Sequence, residues 1–227
     1  MRVHIAEACG FCYGVRRAVE LASTAEKGTH TLGPIIHNPQ LVNSLSARGV
    51  SPVDSLQDVA DGSKVLIRSH GVGPHVYEEA EAKHLDVVDA TCPHVKKAQQ
   101  DARKVINDKK ALIIVGEKDH PEVISISQWG CNRAIIIDKV EEAKEIPYCE
   151  HMGVVVQTTF SQSRFKQIES VLAEKTDDLD VYMTICTATR QRQEAAVELA
   201  KKVDAMIVIG GKNSANTGRL AQVCAEQ

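Results

Sequence analysis

Residues 92–116, CPHVKKAQQDARKVINDKKALIIVG, hold the organising pattern of the chain in one stretch. After Cys92, apolar residues recur at helical spacing between charges, and a short continuous apolar run, ALIIVG, follows. The first part predicts an amphipathic helix opened by the cysteine, and the second a buried strand ending at a glycine. The alternation extends outward in both directions. KVLIRS, RAIIID, GVVVQT and AMIVIG read as further buried strands, and PHVYEEAEAKH, SQSRFKQIESVLAEK and ATRQRQEAAVELAKKV as helices. Short strands alternating with helices predict an α/β protein with parallel sheets, whose functional groups gather at strand C-termini and helix N-termini.

Composition narrows the partners. With 27 basic and 30 acidic residues the formal net charge is -3, which gives no bulk attraction to nucleic acid or an anionic membrane. Aromatic residues make up only 4% of the chain, too few for base-stacking platforms. No apolar run approaches the roughly 20 residues of a membrane span, and the MRVHIAEACGF start lacks a secretory h-region. The expected setting is the cytoplasm, where thiols stay reduced. The 7 cysteines, an odd number, then read as ligands or packed thiols rather than a disulfide framework.

A weak internal repeat supplies domain borders where no linker does. CYGVRRA from Cys12, CPHVKKA from Cys92 and CTATRQR from Cys186 each place a cysteine ahead of a helix, with a basic residue four positions later: Arg16, Lys96 and Arg190. The three cysteines lie a small domain's length apart, predicting units 1–91, 92–185 and 186–227 in a pseudo-threefold arrangement converging on one centre. A helix N-terminus lowers a thiol pKa and favours the metal-binding thiolate. Three sulfurs rather than four is the informative number. Structural zinc is closed by four ligands, whereas an iron–sulfur cube held by three cysteines keeps one iron open for substrate. Cys9, Cys131, Cys149 and Cys224 share no such pattern. The Cys9-Gly-Phe-Cys12 spacing, taken alone, also fits a redox dithiol.

A second constellation lies on the loops. GPIIHNP offers His37, IRSHGVGP His70, VGEKDHPEV His120 with Glu122, VQTTFSQS Thr158 and Thr159, and IGGKNSANTGR Ser214, Asn216 and Thr217. Most fall between a strand and a helix. Imidazoles, hydroxyls and an amide beside helix N-termini suit a diphosphate, because helix-end N–H groups and the macrodipole favour anions. Ser, Thr and Asn in such places also serve as ordinary helix caps.

GFCYGVRRAV, IIHNP, SHGV, DATCPHV, HPEV, QTT, ICTATRQRQEA and GKNSAN occur, in this order, across almost the whole chain. The set resembles the LytB family of 4-hydroxy-3-methylbut-2-enyl diphosphate reductases, the terminal enzymes of the methylerythritol phosphate route to isoprenoids. The resemblance implies a trefoil of three α/β domains around a [4Fe-4S] cluster held by Cys12, Cys92 and Cys186, with one open iron site for the allylic hydroxyl. It implies that His37, His70, His120, Thr158, Ser214 and Asn216 bind the substrate. It makes Glu122 the proton source, with Thr158 linking it to the substrate oxygen. A free carboxyl titrating near 4 must then be tuned upward. It further implies a monomer served by an electron donor such as ferredoxin or flavodoxin.

Two departures carry expectations of their own. Ala215 stands where relatives have a second serine, implying one polar contact fewer. The chain stops at RLAQVCAEQ, partway into a helix of the third unit and before a late AGAS-like loop, which reads as a fragment of a longer frame with AMIVIG left exposed. Two other functions compete. An iron–sulfur sensor would use the three cysteines without Glu122 and Thr158, and a thiol oxidoreductase would use Cys9 and Cys12 without Cys92 or Cys186.

Overall fold

The computed structural model describes residues 2–227. Helix α1 (Tyr13–Ser23) is followed by β1 (His30–Leu32), α2 (Pro39–Ala47), β2 (Ser51–Val53), a single 3-10 turn (Leu56–Asp58), β3 (Lys64–Ile67), α3 (Pro74–Ala82) and β4 (Asp86–Asp89). The succession then restarts with α4 (Pro93–Asn107), β5 (Ala111–Val115), α5 (Pro121–Trp129), β6 (Ile135–Ile137), α6 (Val140–Glu145), β7 (His151–Val156), α7 (Gln162–Ala173) and β8 (Asp178–Tyr182). It begins a third time with α8 (Thr187–Ala200), and α9 (Ala215–Ala225) follows.

Two four-stranded sheets result, ordered β2-β1-β3-β4 and β6-β5-β7-β8, with every neighbouring pair parallel. The two orders are one topology used twice. Parallel strands need crossovers, and the helices cover both faces of each sheet, so the central strands read as continuous apolar runs. In the second sheet Leu112 and Ile114 pack with Ala98, Ala102 and Val105 of α4 and Val123 and Ile126 of α5. On the opposite face Ile113 and Val115 meet Phe165, Ile168 and Leu172 of α7. In the first sheet Leu66 packs with Ala18, Ala22 and Leu45, and Val65 with Leu56, Val59 and Ala80.

One expected strand does not form. Residues 205–210, AMIVIG, run without secondary structure, and Ile207 and Ile209 are 84% and 92% exposed. An apolar β-branched run becomes a strand only when a neighbour supplies its N–H and C=O partners, and no described segment pairs with this one. The third unit is thus incomplete. No helix of the described residues is long and apolar enough to cross a membrane.

Candidate active site: a histidine cradle, a buried carboxyl and three cysteines

In each sheet the chain order reverses between two adjacent central strands, β1 beside β3 and β5 beside β7. The crevice beyond the C-terminal ends of such strands is where open α/β sheets bind ligands. Leu32 lies opposite Ile67, and Val115 opposite Val156, so the loops after each pair emerge level with one another. His37 lies on the loop after β1 and His70 on the loop after β3; His120 follows β5 and Thr158 follows β7. The imidazoles converge: ring centres are 4.2 Å apart for His37 and His70, 5.3 Å for His37 and His120, and 5.4 Å for His70 and His120.

Ring nitrogens of these three residues lie within 4.8 Å of one another, a spacing a metal ion could use. The protonation pattern argues for an anion instead. His120 caps α5, its Nδ1 accepting the Glu122 amide N–H at 3.2 Å. A neutral imidazole whose Nδ1 accepts must carry its proton on Nε2, so His120 offers a donor and not a lone pair. His37 Nδ1 bonds the Asn213 carbonyl, which can only accept. His37 therefore presents an outward N–H on Nε2 only when protonated. Burial lowers all three pKa values, His120 to about 4 and His70 well below the ordinary range; Arg68 adds to the effect on each, neighbouring imidazoles add to it at His70 and His120, and the Asn213 carbonyl opposes it at His37. An anion among them reverses that penalty.

Glu122, in the first turn of α5, is 2% exposed. Its carboxylate accepts the Thr158 backbone N–H at 2.6 Å and the Thr158 hydroxyl at 2.8 Å. Burial pushes its pKa up to about 7 despite these two donors. The helix cap is His120, so the Glu122 carboxyl is free of that task. Ser125, one turn further on, lies within hydrogen-bonding distance of the carbonyls of His70 (3.0 Å) and Glu122 (2.9 Å), and Gln99 Nε2 donates to the Ser125 hydroxyl at 3.2 Å. This chain ties the His70 loop to α5.

Cys12, Cys92 and Cys186 are the N-cap residues of α1, α4 and α8, all half-buried free thiols. Cys92 and Cys186 also follow the last strand of their sheets. Gly14, in the first turn of α1, lies against Cys92: a Cβ there would sit 2.5 Å from the sulfur. Burial raises the Cys92 pKa, the amides of His94 and Val95 oppose it, and nearby Cys12 and Glu122 raise it further. Cys186 donates its backbone N–H to the Thr158 carbonyl at 3.1 Å, and its sulfur accepts the Thr189 amide at 3.3 Å. Arg192 of α8 reaches the Gly10 carbonyl at 3.1 Å, and Arg17 of α1 reaches the carbonyls of Asp89 and Thr91. Three free thiols at helix N-termini, with Cys12 and the α1 glycine beside Cys92, are of the kind that could ligate an iron–sulfur cluster. Cys9 and Cys131 are exposed, and Cys149 and Cys224 are half-buried.

Ser214 and Asn216 occupy a different setting from the one expected, since no strand precedes them. Ser214 caps α9, its hydroxyl accepting the Thr217 amide at 3.4 Å, and Asn216 lies in the first helical turn. Their loop reaches the cradle through Asn213, and Gly211 lies so near that a Cβ would be 2.5 Å from the His37 carbonyl oxygen. Several participants escaped the sequence reading: Gly14, Asn213, Ser125, Gln157 and Arg68. For Arg68 and Gln157 the signal is an unmet polar atom; Gly14, Asn213 and Ser125 are found only from their contacts. Arg68 Nε, His70 Nδ1, Thr91 Oγ1, Gln157 Nε2 and Thr159 Oγ1 are buried without a partner among the described residues, and all lie on loops leaving strand C-termini.

Fold and site together define a parallel α/β protein with one sheet topology used twice, three converging imidazoles and a buried carboxyl at the strand ends, and a thiol capping each of three helices. The model of the family described as LytB protein matches residues 3–227, and the chain belongs to that family. It is 46% identical over 229 residues to the 4-hydroxy-3-methylbut-2-enyl diphosphate reductase of Pelobacter propionicus, covering 100% of this chain and 81% of the relative. It is 44% identical over 231 residues to the enzyme of the same name from Thermoanaerobacter sp., covering 99% and 80%. Among solved structures, the E-1-hydroxy-2-methyl-but-2-enyl-4-diphosphate reductase of Plasmodium falciparum superposes with a TM-score of 0.90 at 28% identity, over 96% of this chain and 71% of that one. A second, described as (E)-4-hydroxy-3-methyl-but-2-enyl diphosphate reductase, the terminal enzyme of the non-mevalonate pathway, has a TM-score of 0.74 at 41% identity, over 99% and 82%.

Proposed function

We propose that this chain reduces 4-hydroxy-3-methylbut-2-enyl diphosphate, removing its allylic hydroxyl to give isopentenyl and dimethylallyl diphosphates in isoprenoid synthesis. The observation that carries the reading is a water-excluded carboxyl, Glu122, hydrogen-bonded to Thr158 on a helix that begins at a cradle histidine. The reaction takes up two electrons and two protons, breaks one C–O bond, forms one C–H bond and releases water. Cys12, Cys92 and Cys186 would hold a [4Fe-4S] cluster with one open iron, which when bound supplies Lewis acidity and electrons. His37, His70 and His120 would donate to the diphosphate, with Ser214 and Asn216 closing over it from α9. Glu122, protonated near neutral pH because it is buried, is the acid. Hydroxide is a poor leaving group, so a proton delivered with the electrons lets water depart instead. Thr158 relays between that carboxyl and the departing oxygen.

The reaction requires an external reductant, which we take to be a small electron carrier such as ferredoxin or flavodoxin. In this reading residues 1–91, 92–185 and 186–227 are three domains, each opened by its cysteine helix. The test is anaerobic reconstitution followed by iron and sulfide analysis, EPR and turnover of the substrate. Cys12→Ser, Cys92→Ser and Cys186→Ser are each expected to lose the cluster while Cys9→Ser keeps it. Equal loss in Cys9→Ser would move the ligand set to the CxxC and refute the reading.

A further inference from the structure

Arg68 follows the last residue of β3, two positions before His70. Its neighbour across the sheet is Gly33, the residue after β1, in the loop that also carries His37. The φ of Gly33 is +69°, a left-handed backbone that side chains rarely adopt, and a Cβ there would lie 2.6 Å from Arg68 Nη1. The glycine therefore does two things: it turns the chain and leaves room for the guanidinium. The Ser69 amide donates to the Ile35 carbonyl at 3.1 Å, which holds the two loops together. Arg68 is half-buried, its Nε is fully enclosed without a partner, and among the described residues it belongs to no ion pair.

A desolvated guanidinium with no carboxylate beside it is costly, and charges in such places are normally paired. The groups that feel it are the cradle histidines, since Arg68 disfavours protonation of His37, His70 and His120 alike. Burial disfavours the charged form of each of these imidazoles, so they are poorly suited to attract a polyanion from a distance. Arg68 stays charged at any working pH. Its planar fork matches phosphate oxygens, which a packing role would not require.

We propose that Arg68 is the permanent cation of the diphosphate pocket, binding the anion from between the His37 and His70 loops. The inference deepens the functional reading above and rests on it. Arg68 draws the substrate in and offsets its charge, after which the histidines take up protons and add their donors.

Inorganic diphosphate is the probe, with binding to the whole chain measured by calorimetry at two salt concentrations, for wild type, Arg68→Gln and Arg68→Lys. Arg68→Gln is expected to raise Kd by about 10- to 100-fold, the range for a hydrogen bond to a charged group. It is also expected to flatten the dependence of Kd on salt, because one fixed charge is gone. Arg68→Lys is expected to recover most of the affinity and the salt dependence. Unchanged Kd in Arg68→Gln, with wild type binding tightly, overturns the role of Arg68 alone. Should Arg68→Gln fail to fold, Arg68→Met decides, and an unchanged Kd and salt dependence in that variant also overturns it. If wild type itself does not bind inorganic diphosphate, the anion cradle and the role of Arg68 fall together.

Discussion

Glu122 shows how one residue is tuned by opposing terms. Loss of water raises its pKa, the two Thr158 donors lower it, and the balance rests at about 7. Gln at this position keeps the shape and one acceptor but has no acidic proton. Glu122→Gln is therefore expected to retain substrate affinity while single-turnover reduction slows about 10²- to 10⁴-fold, the usual contribution of a positioned acid. A near wild-type rate would assign the proton to another group. His120 titrates in the opposite sense. It is held at about 4 in the folded chain against 6.5 in the unfolded one. Between those values the unfolded chain binds the extra proton, so this contribution to stability is complete above pH 6.5 and is lost as pH falls toward 4. His120→Asn keeps a capping oxygen without titrating. Denaturant midpoints of wild type are expected to fall relative to His120→Asn across that window, and added inorganic diphosphate is expected to narrow the gap. Parallel curves would contradict the assignment. The sequence made Glu122 and the histidines legible as loop residues between strand and helix. It could not reveal which imidazole nitrogen carries the proton, because that depends on the His120–Glu122 cap and the Asn213 carbonyl. Arg68 was hidden for a related reason: an unpaired charge is recognised only from what fails to surround it.

At the scale of helices and strands, the contact between α1 and the start of α4 bears directly on the cysteines. Gly14 leaves no room for even a methyl group beside the Cys92 sulfur. Alanine is the better helix former by up to about 1 kcal/mol, so a Gly14→Ala exchange sets helix propensity against the site. The expected outcome is a chain that keeps its helical CD spectrum but loses iron after reconstitution, as Cys92 is pushed aside. Retained iron would mean that α1 and α4 shift apart without cost. Which elements the sequence disclosed follows from length and burial. β5 and β7 are continuous buried runs and were legible at once. β1 and β2 are three residues each, too short for a pattern, and β2 carries Pro52 on a sheet edge. β4 and β8, also edge strands, mix acidic with apolar residues and have neither face fully enclosed. The repeat of cysteine-capped helices was legible because Cys12, Cys92 and Cys186 each sit at the same joint.

Across the whole molecule, no unit owns the site. The first sheet contributes His37 and His70, the second His120, Glu122 and Thr158, and α9 contributes the loop that meets His37, so catalysis depends on docking as much as on folding. The duplicated sheet order gives equivalent strand ends to both units and lets their loops face one another across a seam. AMIVIG does not form the strand its pattern predicts but is exposed, as the expectation of an unfinished unit has it, since strand identity is conferred by a partner. Its exposed backbone and side chains have a consequence beyond chemistry. Residues 205–210 are an unguarded β-prone six-residue run with no charge or proline, the kind of segment that pairs with its own copy in another chain and seeds insoluble assemblies. Ile207→Lys with Ile209→Lys adds gatekeeping charge where the two residues are 84% and 92% exposed. Light scattering over a concentration series is expected to show slower aggregation in that variant with its melting temperature unchanged, and equal aggregation would locate the sticky surface elsewhere. The same unpaired run would then govern how concentrated this protein can be before it polymerises.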